Sequence, residues 1–471
     1  MKNNLKHVHL LGIGGTGMGS LARLLVNKGL QVSGSDEKLY PPMSDQLAQL
    51  KINIYEGYAA KHLNPRPDLV VIGNVIRKEN EEAQAVLNQD IAYCSMPQAI
   101  SNFFLDKKKP IVVCGTHGKT TTSTLLAWLL EASKQDPSFF IGGVGRNFGQ
   151  SAKLGKGNFF VLEGDEYDTA FFDKGPKFLH YQAQVVLLTS IEFDHADIYQ
   201  DLNQIKQSFI KLLRGLPSNA LVVANGDEVN VREILGQTKA KVLTYGLTDQ
   251  VDYHPVEIIY ATDETVFELI GPKFKGSFRL PLAGEHNLLN AIGSIAVLLQ
   301  QGINKEDIQK GLVSFEGVKR RQEIFAEVNS ITLVDDFAHH PTAVAKTIAA
   351  IRQKYPNRRL WAIFEPRSNT SRRNFFQKEY IDALSLADRV ILAPVFAAEK
   401  IPLAERFNGQ AVADAIMRRG VDAHYISKTE YILEYITRVA NRQDVILVMS
   451  NGAFDGLLPR LKEELGKRRI I

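Results

Sequence analysis

Ile111-Val112-Val113-Cys114-Gly115-Thr116-His117-Gly118-Lys119-Thr120-Thr121-Thr122 is the stretch on which the reading of this 471-residue chain turns. Four apolar residues make a short strand. A glycine-bracketed turn follows, and Leu125, Leu126, Leu129 and Leu130 mark a helix behind it. Backbone N–H groups in such a turn, backed by the helix N-terminus, form a cradle for anions. Lys119 adds a mobile positive charge for the β- and γ-phosphates of a nucleotide, and Thr120 a hydroxyl for Mg2+. Gly115, Thr116, His117, Gly118, Lys119, Thr120 and Thr121 are therefore the expected ATP contacts. Only two residues separate Gly115 from Gly118-Lys119, where the common phosphate loop has four.

Working outward, strand and helix patterns alternate in three blocks. The first opens with the apolar run Val8–Ile13, a glycine-rich turn and a helix carrying Met18, Leu21 and Leu25 at i, i+3 and i+7. Strands are expected at Gln31–Asp36 and Asp68–Ile72, and Asp106-Lys107-Lys108-Lys109-Pro110 reads as a linker. The second block starts with the phosphate loop. It adds strands at Phe159–Leu162 and Val185–Leu188, a β-rich stretch over 240–282 and a helix over Asn287–Gln301. The third, from about 326, carries strands at Thr332–Val334, Leu360–Phe364, Arg389–Leu392 and Val445–Val448. Such alternation implies an α/β protein with mainly parallel, doubly wound sheets.

The bulk numbers exclude several classes. Fifty-six basic against 52 acidic residues, a net charge of +4, give no footprint for nucleic acid or an acidic membrane. Cys94 and Cys114 are the only cysteines, too few for a disulfide framework. Met1–Lys6 lacks the apolar core of a signal peptide, and no apolar run of about 18 residues marks a membrane span. A cytoplasmic protein is expected, with Lys467-Arg468-Arg469 a solvated basic end.

Gly12-Ile13-Gly14-Gly15-Thr16-Gly17 fits G-x-G-x-x-G, with Asp36 19 residues further on at the end of the next strand. A pyrophosphate can sit on this helix N-terminus. A nicotinamide cofactor and a nucleotide-diphosphate sugar both satisfy that reading. Glu163-Gly164-Asp165-Glu166-Tyr167-Asp168 and Ser190-Ile191-Glu192-Phe193-Asp194-His195 each end a strand, so Glu163 and His195 are expected to face one crevice. With Thr120 they are the candidate Mg2+ ligands. His286, Asn287 and Asn290 open a helix and can read a base edge or brace the phosphate loop. Arg320-Arg321 offers a clamp for phosphate charge. Asp335-Asp336-Phe337-Ala338-His339-His340-Pro341 lacks standard zinc spacing and suits a ribose or phosphate contact.

Taken in order, Gly115–Thr122, Glu163, His195, His286-Asn287-Asn290, Arg321 and Asp336–Pro341 resemble the Mur ligase family of peptidoglycan synthesis, over essentially the whole chain. The shortened phosphate loop is the family's own form. The resemblance implies three domains: 1–108 for a UDP-N-acetylmuramate substrate, 109–325 for ATP, and 326–471 for the incoming amine. The outer two are expected to be Rossmann-like. It implies ATP and Mg2+ as cofactors, with ATP held by the loop, His286, Asn287, Asn290, Arg321, Asp336 and His339. Lys119, Glu163, His195 and Arg367 become the expected catalytic residues.

The first glycine loop becomes the cradle of the UDP pyrophosphate, with Gly12, Gly14, Gly15, Thr16, Gly17, Ser35, Asp36 and Asn74 as contacts. An oxidoreductase that uses a nicotinamide cofactor has no need of the second phosphate loop. A non-catalytic nucleotide-binding protein would have no need of intact Lys119, Thr120, Glu163 and His195. Small-molecule substrates only, no nucleic acid or membrane partner, and a monomer or weak homodimer are expected.

Within the family one branch adds L-alanine to UDP-N-acetylmuramate. A recycling branch adds the tripeptide L-alanyl-γ-D-glutamyl-meso-diaminopimelate. The chain is similar to the recycling branch at Tyr40–Ser44, Ile72–Asn74, Glu166–Lys174, Lys177–Tyr181, Glu365–Thr370 and Met449–Gly452. Glu365-Pro366-Arg367 stands where the alanine branch usually has a Gln-Pro-His-Arg motif. Arg367 is then a carboxylate clamp, and Asn369 and Asn451 are candidate readers of the peptide.

Overall fold

The computed structural model describes residues 5–39 and 43–468. Met1–Asn4, Tyr40–Pro42 and Arg469–Ile471 lie outside the described residues. With them go most of the N-terminal segment, the first three residues of the Tyr40–Ser44 stretch and the end of the basic tail.

Three sheets carry the chain, as the alternation predicts. The first has five parallel strands in the order Asn53–Glu56, Gln31–Asp36, His7–Leu11, Leu69–Ile72, Tyr93–Ser95. The strand order reverses beside His7–Leu11, which puts Gly12–Gly15 at the crevice where such sheets bind ligands. The second has seven strands: Lys241–Tyr245, Leu221–Asn225, Val185–Leu188, Lys109–Cys114, Phe159–Gly164, Ser138–Phe140 and Ala152–Lys153. All its pairs are parallel except the last. A separate antiparallel sheet, His254–Tyr260, Thr265–Gly271 and Phe274–Leu280, occupies the predicted β-rich stretch.

The third sheet has six strands, in the order Glu323–Val328, Ile331–Asp336, Val445–Met449, Leu360–Phe364, Arg389–Leu392, Asp422–Tyr425. Its first pair is antiparallel and the rest are parallel.

The unbroken apolar runs of these strands have a physical reason. Leu360, Ala362 and Phe364 face one core, while Trp361 and Ile363 face another. A parallel sheet covered by helices on both faces buries both sets, so alternation disappears from the sequence. The helix Glu285–Gln300 is likewise buried around most of its girth, as expected of a helix enclosed by its neighbours.

Four sequence expectations shift. Lys109 and Pro110 do not belong to a linker. They begin the central strand, pairing with Phe159 and Phe160; Pro110, at its second position, joins the neighbouring strand through its carbonyl, which accepts the Gln184 N–H at 3.1 Å. Glu163 is inside its strand, which runs on to Gly164. Asp335 and Asp336 also lie within theirs, Ile331–Asp336. The line at 325/326 cuts the strand Glu323–Val328, which pairs entirely with the third sheet. We place the change of unit in the turn before it, where Arg320 and Gln322 have φ of 61° and 50°.

Trp361 anchors the third unit. It is fully buried, its Nε1–H donates to Asp444 Oδ2 at 3.0 Å, and Arg389 lies 4.6 Å from its ring centroid. Trp361→Ala should cost about 3–5 kcal/mol, read as a lowered urea midpoint by far-UV circular dichroism.

Candidate active site

The phosphate loop is shaped by a close approach of strand ends. Gly115 has φ +129°, and a Cβ there would lie 2.3 Å from Thr189 Oγ1 and 2.7 Å from the Ser190 carbonyl oxygen. Only glycine fits. Ser190 then holds the loop from outside: its carbonyl accepts the Thr116 N–H at 2.9 Å and its Oγ the His117 N–H at 3.1 Å. Gly118, φ +80°, opens the helix Lys119–Ala132, with Asn290 Oδ1 close enough to exclude any Cβ.

Lys119 donates to the Gly115 carbonyl at 2.7 Å, the Thr116 carbonyl at 3.3 Å and Glu166 Oε2 at 2.7 Å. Burial works against its charge. Glu166, Asp165 and Glu163 outweigh burial and hold the ammonium above its ordinary range. Glu166 is 1% exposed, and its other oxygen lies 3.4 Å from His195 Nε2. His195 is opposed by burial but lifted to about 9 by Glu166 and Asp194, so at neutral pH it is an imidazolium. Asp165 is also opposed by burial, yet Lys177 and Lys119 pull it below the usual carboxylate range.

Glu163 differs from these neighbours. Its Oε1 accepts the Thr120 hydroxyl at 3.0 Å and its Oε2 the Gly142 N–H at 2.8 Å. Burial raises it above the usual carboxylate range despite that amide and nearby Lys119. Among the described residues it forms no ion pair. A half-buried carboxylate with a hydroxyl oxygen beside it and no cation in contact fits a hard divalent ion. Of the expected metal set, Thr120 and Glu163 are together, while His195 sits with Asp165 and Glu166. His195 would have to give up its proton before its ring could ligate.

Beside the loop a cavity of about 920 Å3, partly open to solvent, runs between the middle and third units. His117, Gly118, Thr120 and Thr121 line it from the loop; His286, Asn287, Asn290, Arg321 and Asp336 line it from the other side. Burial, then Lys346 and Arg321, push His286 down to about 4, so it is neutral, and it meets the Gln322 side chain at 2.9 Å. Asn287 donates to the Ala283 carbonyl. Asn290 Nδ2 is buried without a partner among the described residues, an unmet donor against the phosphate loop.

The arginine pair is split. Arg321 faces the cavity over the Phe337 ring at 4.9 Å. Arg320 donates to the Ser450 and Gly452 carbonyls, 2.7 Å each, and braces the third unit. Asp336 is 3% exposed and accepts the Gln322 and Ala338 amides. His339 turns to the Phe337 carbonyl and does not line the cavity. Its neighbour His340 reaches the loop instead, its ring 4.7 Å from that of His117.

Arg367 lies on the Phe396 ring, 3.6 Å from its centroid, with Nη1 3.4 Å from Glu365. Gly452 is flush against it, since a Cβ there would sit 2.0 Å from Arg367 Nε. Asn451 Oδ1 is buried and unpartnered. Asn369 donates to Asp197 at 2.9 Å and Thr370 to Asp194 at 2.7 Å, which ties this edge to the His195 segment. In the first unit Gly12 has φ +81°, the Gly14 N–H donates to Asp36 Oδ2 at 2.7 Å, and Gly15 precedes the helix Thr16–Asn27. Gly17 is packed against Met96, Ser35 is fully buried, and Asn74 is exposed.

Family models match in the same order as these units. The Mur ligase family catalytic domain covers residues 7–108, the Mur ligase middle domain 113–298, and the Mur ligase glutamate ligase domain 320–452. The UDP-N-acetylmuramate–L-alanyl-gamma-D-glutamyl-meso-2,6-diaminoheptandioate ligase of Escherichia coli K12 is 38% identical, over 98% of each chain.

The chain belongs to the Mur ligase family.

This Mur ligase is also 36% identical to a UDP-N-acetylmuramate–L-alanine ligase of Neisseria meningitidis, over 99% of this chain and 100% of that one. The crystal structure of a murein peptide ligase from Psychrobacter arcticus superposes with a TM-score of 0.75 at 34% identity, covering 99% and 100% of the two chains. Mur ligases are ATP-dependent amide-bond-forming enzymes, so the chain is a ligase. No helix among the described residues is long and apolar enough to cross a membrane.

Glu166, Glu192, Asp194 and His340 stand out in the structure but not in the sequence reading. Each lies inside a segment already singled out, Glu163–Asp168, Ser190–His195 or Asp335–Pro341, where spacing alone does not tell which acid or imidazole turns inward.

Lys119→Ala should cut ADP release at least about 100-fold with an unchanged circular dichroism spectrum. ADP release near the wild-type rate would remove Lys119 from the nucleotide site. Glu163→Ala should shift the Mg2+ titration to higher concentration; an unmoved curve would take Glu163 out of the metal site.

Proposed function

We propose that this Mur ligase joins the tripeptide L-alanyl-γ-D-glutamyl-meso-diaminopimelate to UDP-N-acetylmuramate at the expense of ATP, in peptidoglycan recycling. The observation that carries the chemistry is the phosphate loop with its buried Lys119 and the uncompensated Glu163 beside it. The full-length E. coli relative, named for that acceptor, supports the branch, as does Glu365-Pro366-Arg367 at the acceptor edge. The same edge argues for an extended, charged acceptor: Arg367 with Glu365, and the unpartnered Asn451 amide oxygen, offer more polar recognition than a single alanine needs.

In this reading the lactyl carboxylate of UDP-N-acetylmuramate attacks the γ-phosphate of ATP. Lys119 leaves Glu166 for the phosphates as charge builds on the transferring group. Thr120 and Glu163 would hold Mg2+, with His195 joining once its ring is neutral. The ion supplies charge neutralisation for the transferring phosphoryl group. The neutral α-amine of the peptide's L-alanine then attacks the acyl phosphate, and the tetrahedral adduct collapses to an amide and inorganic phosphate. Arg367 clamps a carboxylate, and Asn369 and Asn451 orient the peptide. ATP bridges the middle unit and the third through Arg321 and Asp336, so closure keeps water from the acyl phosphate.

The first unit, to residue 108, would hold the UDP moiety on Gly12–Gly17, with Ser35, Asp36 and Asn74 around it. Asp36 now occupies the Gly14 amide and would have to yield that donor to a pyrophosphate. Family membership leaves this loop to the acyl donor and not to a nicotinamide. Small-molecule substrates and a cytoplasmic, monomeric or weakly dimeric enzyme complete the reading.

An ADP-release assay with UDP-N-acetylmuramate separates the two branches. The tripeptide should give a kcat/KM at least about 100-fold above that of L-alanine. The opposite order would make this the alanine-adding enzyme.

A further inference from the structure

Beside the phosphate loop, three side chains from three segments converge without any part in holding Thr120 and Glu163. His117 is in the loop, Glu192 follows the strand Val185–Leu188, and His340 precedes the helix Pro341–Lys354 of the third unit. Glu192 Oε2 lies 3.3 Å from His117 Nε2 and 3.7 Å from His340 Nδ1. One ligand atom from each residue falls within 4.8 Å of the others. A tetrahedral ion with bonds of about 2.0–2.1 Å needs donors roughly 3.3–3.4 Å apart. Glu192 stands at 3.3 and 3.7 Å from the two imidazole nitrogens, and side-chain rotations would bring the two imidazoles, within 4.8 Å of each other, to the same spacing.

The orientation also suits a metal. His340 Nε2 donates to the Phe193 carbonyl at 3.1 Å, which leaves the lone pair on Nδ1; that lone pair now accepts the Thr342 N–H at 3.3 Å and would have to leave this helix-capping bond to ligate an ion. A ligating histidine is typically fixed in this way, its second nitrogen donating to a backbone carbonyl. The Thr342 hydroxyl donates to Glu192 Oε2 at 2.6 Å, the same oxygen that faces the two imidazoles, and fixes its position. The donors are two imidazoles and one carboxylate, a set that suits Zn2+, Co2+ or Ni2+ over Mg2+. The all-oxygen pair Thr120 and Glu163 has the opposite preference.

We propose that His117, Glu192 and His340 form a Zn2+-class transition-metal site, separate from the Mg2+ site, with its fourth position open to water. It joins the phosphate loop to the third unit. An ion bound there would link the two. This site goes beyond the ligase reading and does not depend on which acceptor is used.

Co2+ titration of the full-length protein in excess Mg2+, without nucleotide, tests it. One equivalent should give the intense visible bands of tetrahedral cobalt, bleached by Zn2+, and Zn2+ should raise the thermal midpoint. His340→Asn and Glu192→Gln should each weaken Co2+ binding about 100-fold or more, while His195→Asn should retain it. Should His340→Asn fail to fold by circular dichroism, His117→Asn, on a different segment, decides the same question. Absence of tetrahedral bands overturns the proposal. So do bands that survive His117→Asn and His340→Asn but vanish in His195→Asn, which would place the ion at Asp165, Glu166 and His195.

Discussion

The parallel register around Cys114 is the constraint on which the site depends. Cys114 pairs with Leu188 on one side and Gly164 on the other. That register brings three loops to one sheet edge: Gly115–Gly118 from the centre, Asp165–Asp168 from one neighbour and Thr189–His195 from the other. Gly115 lets the edge close, because any side chain there would strike Thr189 and Ser190. A slip of one residue would turn Glu163 from the crevice into the core.

Closing three acidic loop ends around one lysine creates an electrostatic problem. Glu166 is neutralised by Lys119, with His195 near its second oxygen. Asp165 is neutralised by Lys177. Glu163 is left over, half-buried and without an ion pair among the described residues, and desolvation accordingly resists its charge. Exposing such a carboxylate would relieve it at the cost of the fold, whereas binding a cation relieves it in place. The Lys119–Glu166 pair has a second consequence. Nucleotide phosphates must compete with a buried carboxylate for the lysine, whose charge is paired within the protein.

The sequence carries the fold because periodicity and glycine placement are local. The strands Leu360–Phe364, Arg389–Leu392 and Val185–Leu188 lie where their apolar runs put them, and Gly115 and Gly118 carry the loop. Site partners depend on tertiary direction, which spacing does not encode. Arg320 and Arg321 are adjacent, yet one braces carbonyls of the third unit and the other faces the cavity. His339 and His340 divide in the same way in the loop after the strand Ile331–Asp336, one turning to the Phe337 carbonyl and the other to His117. Glu166 could be seen as acidic but not as the partner of Lys119, since that contact spans 47 residues. Lys346, which lines the cavity from the helix Pro341–Lys354, sits in an unremarkable amphipathic pattern and left no signal.

Closure is built into the same edge. Thr370 and Asn369 of the third unit reach Asp194 and Asp197, one and two residues from His195, while Glu365 accepts the Ser450 hydroxyl and Arg367 packs flush against Gly452. The acceptor edge is therefore mechanically continuous with the segment that carries His195. Movement of the third unit would change the surroundings of His195 and of Glu166 behind it. Packed side chains thus run from Arg367 and Glu365 through Thr370 and Asp194 to His195, Glu166 and Lys119.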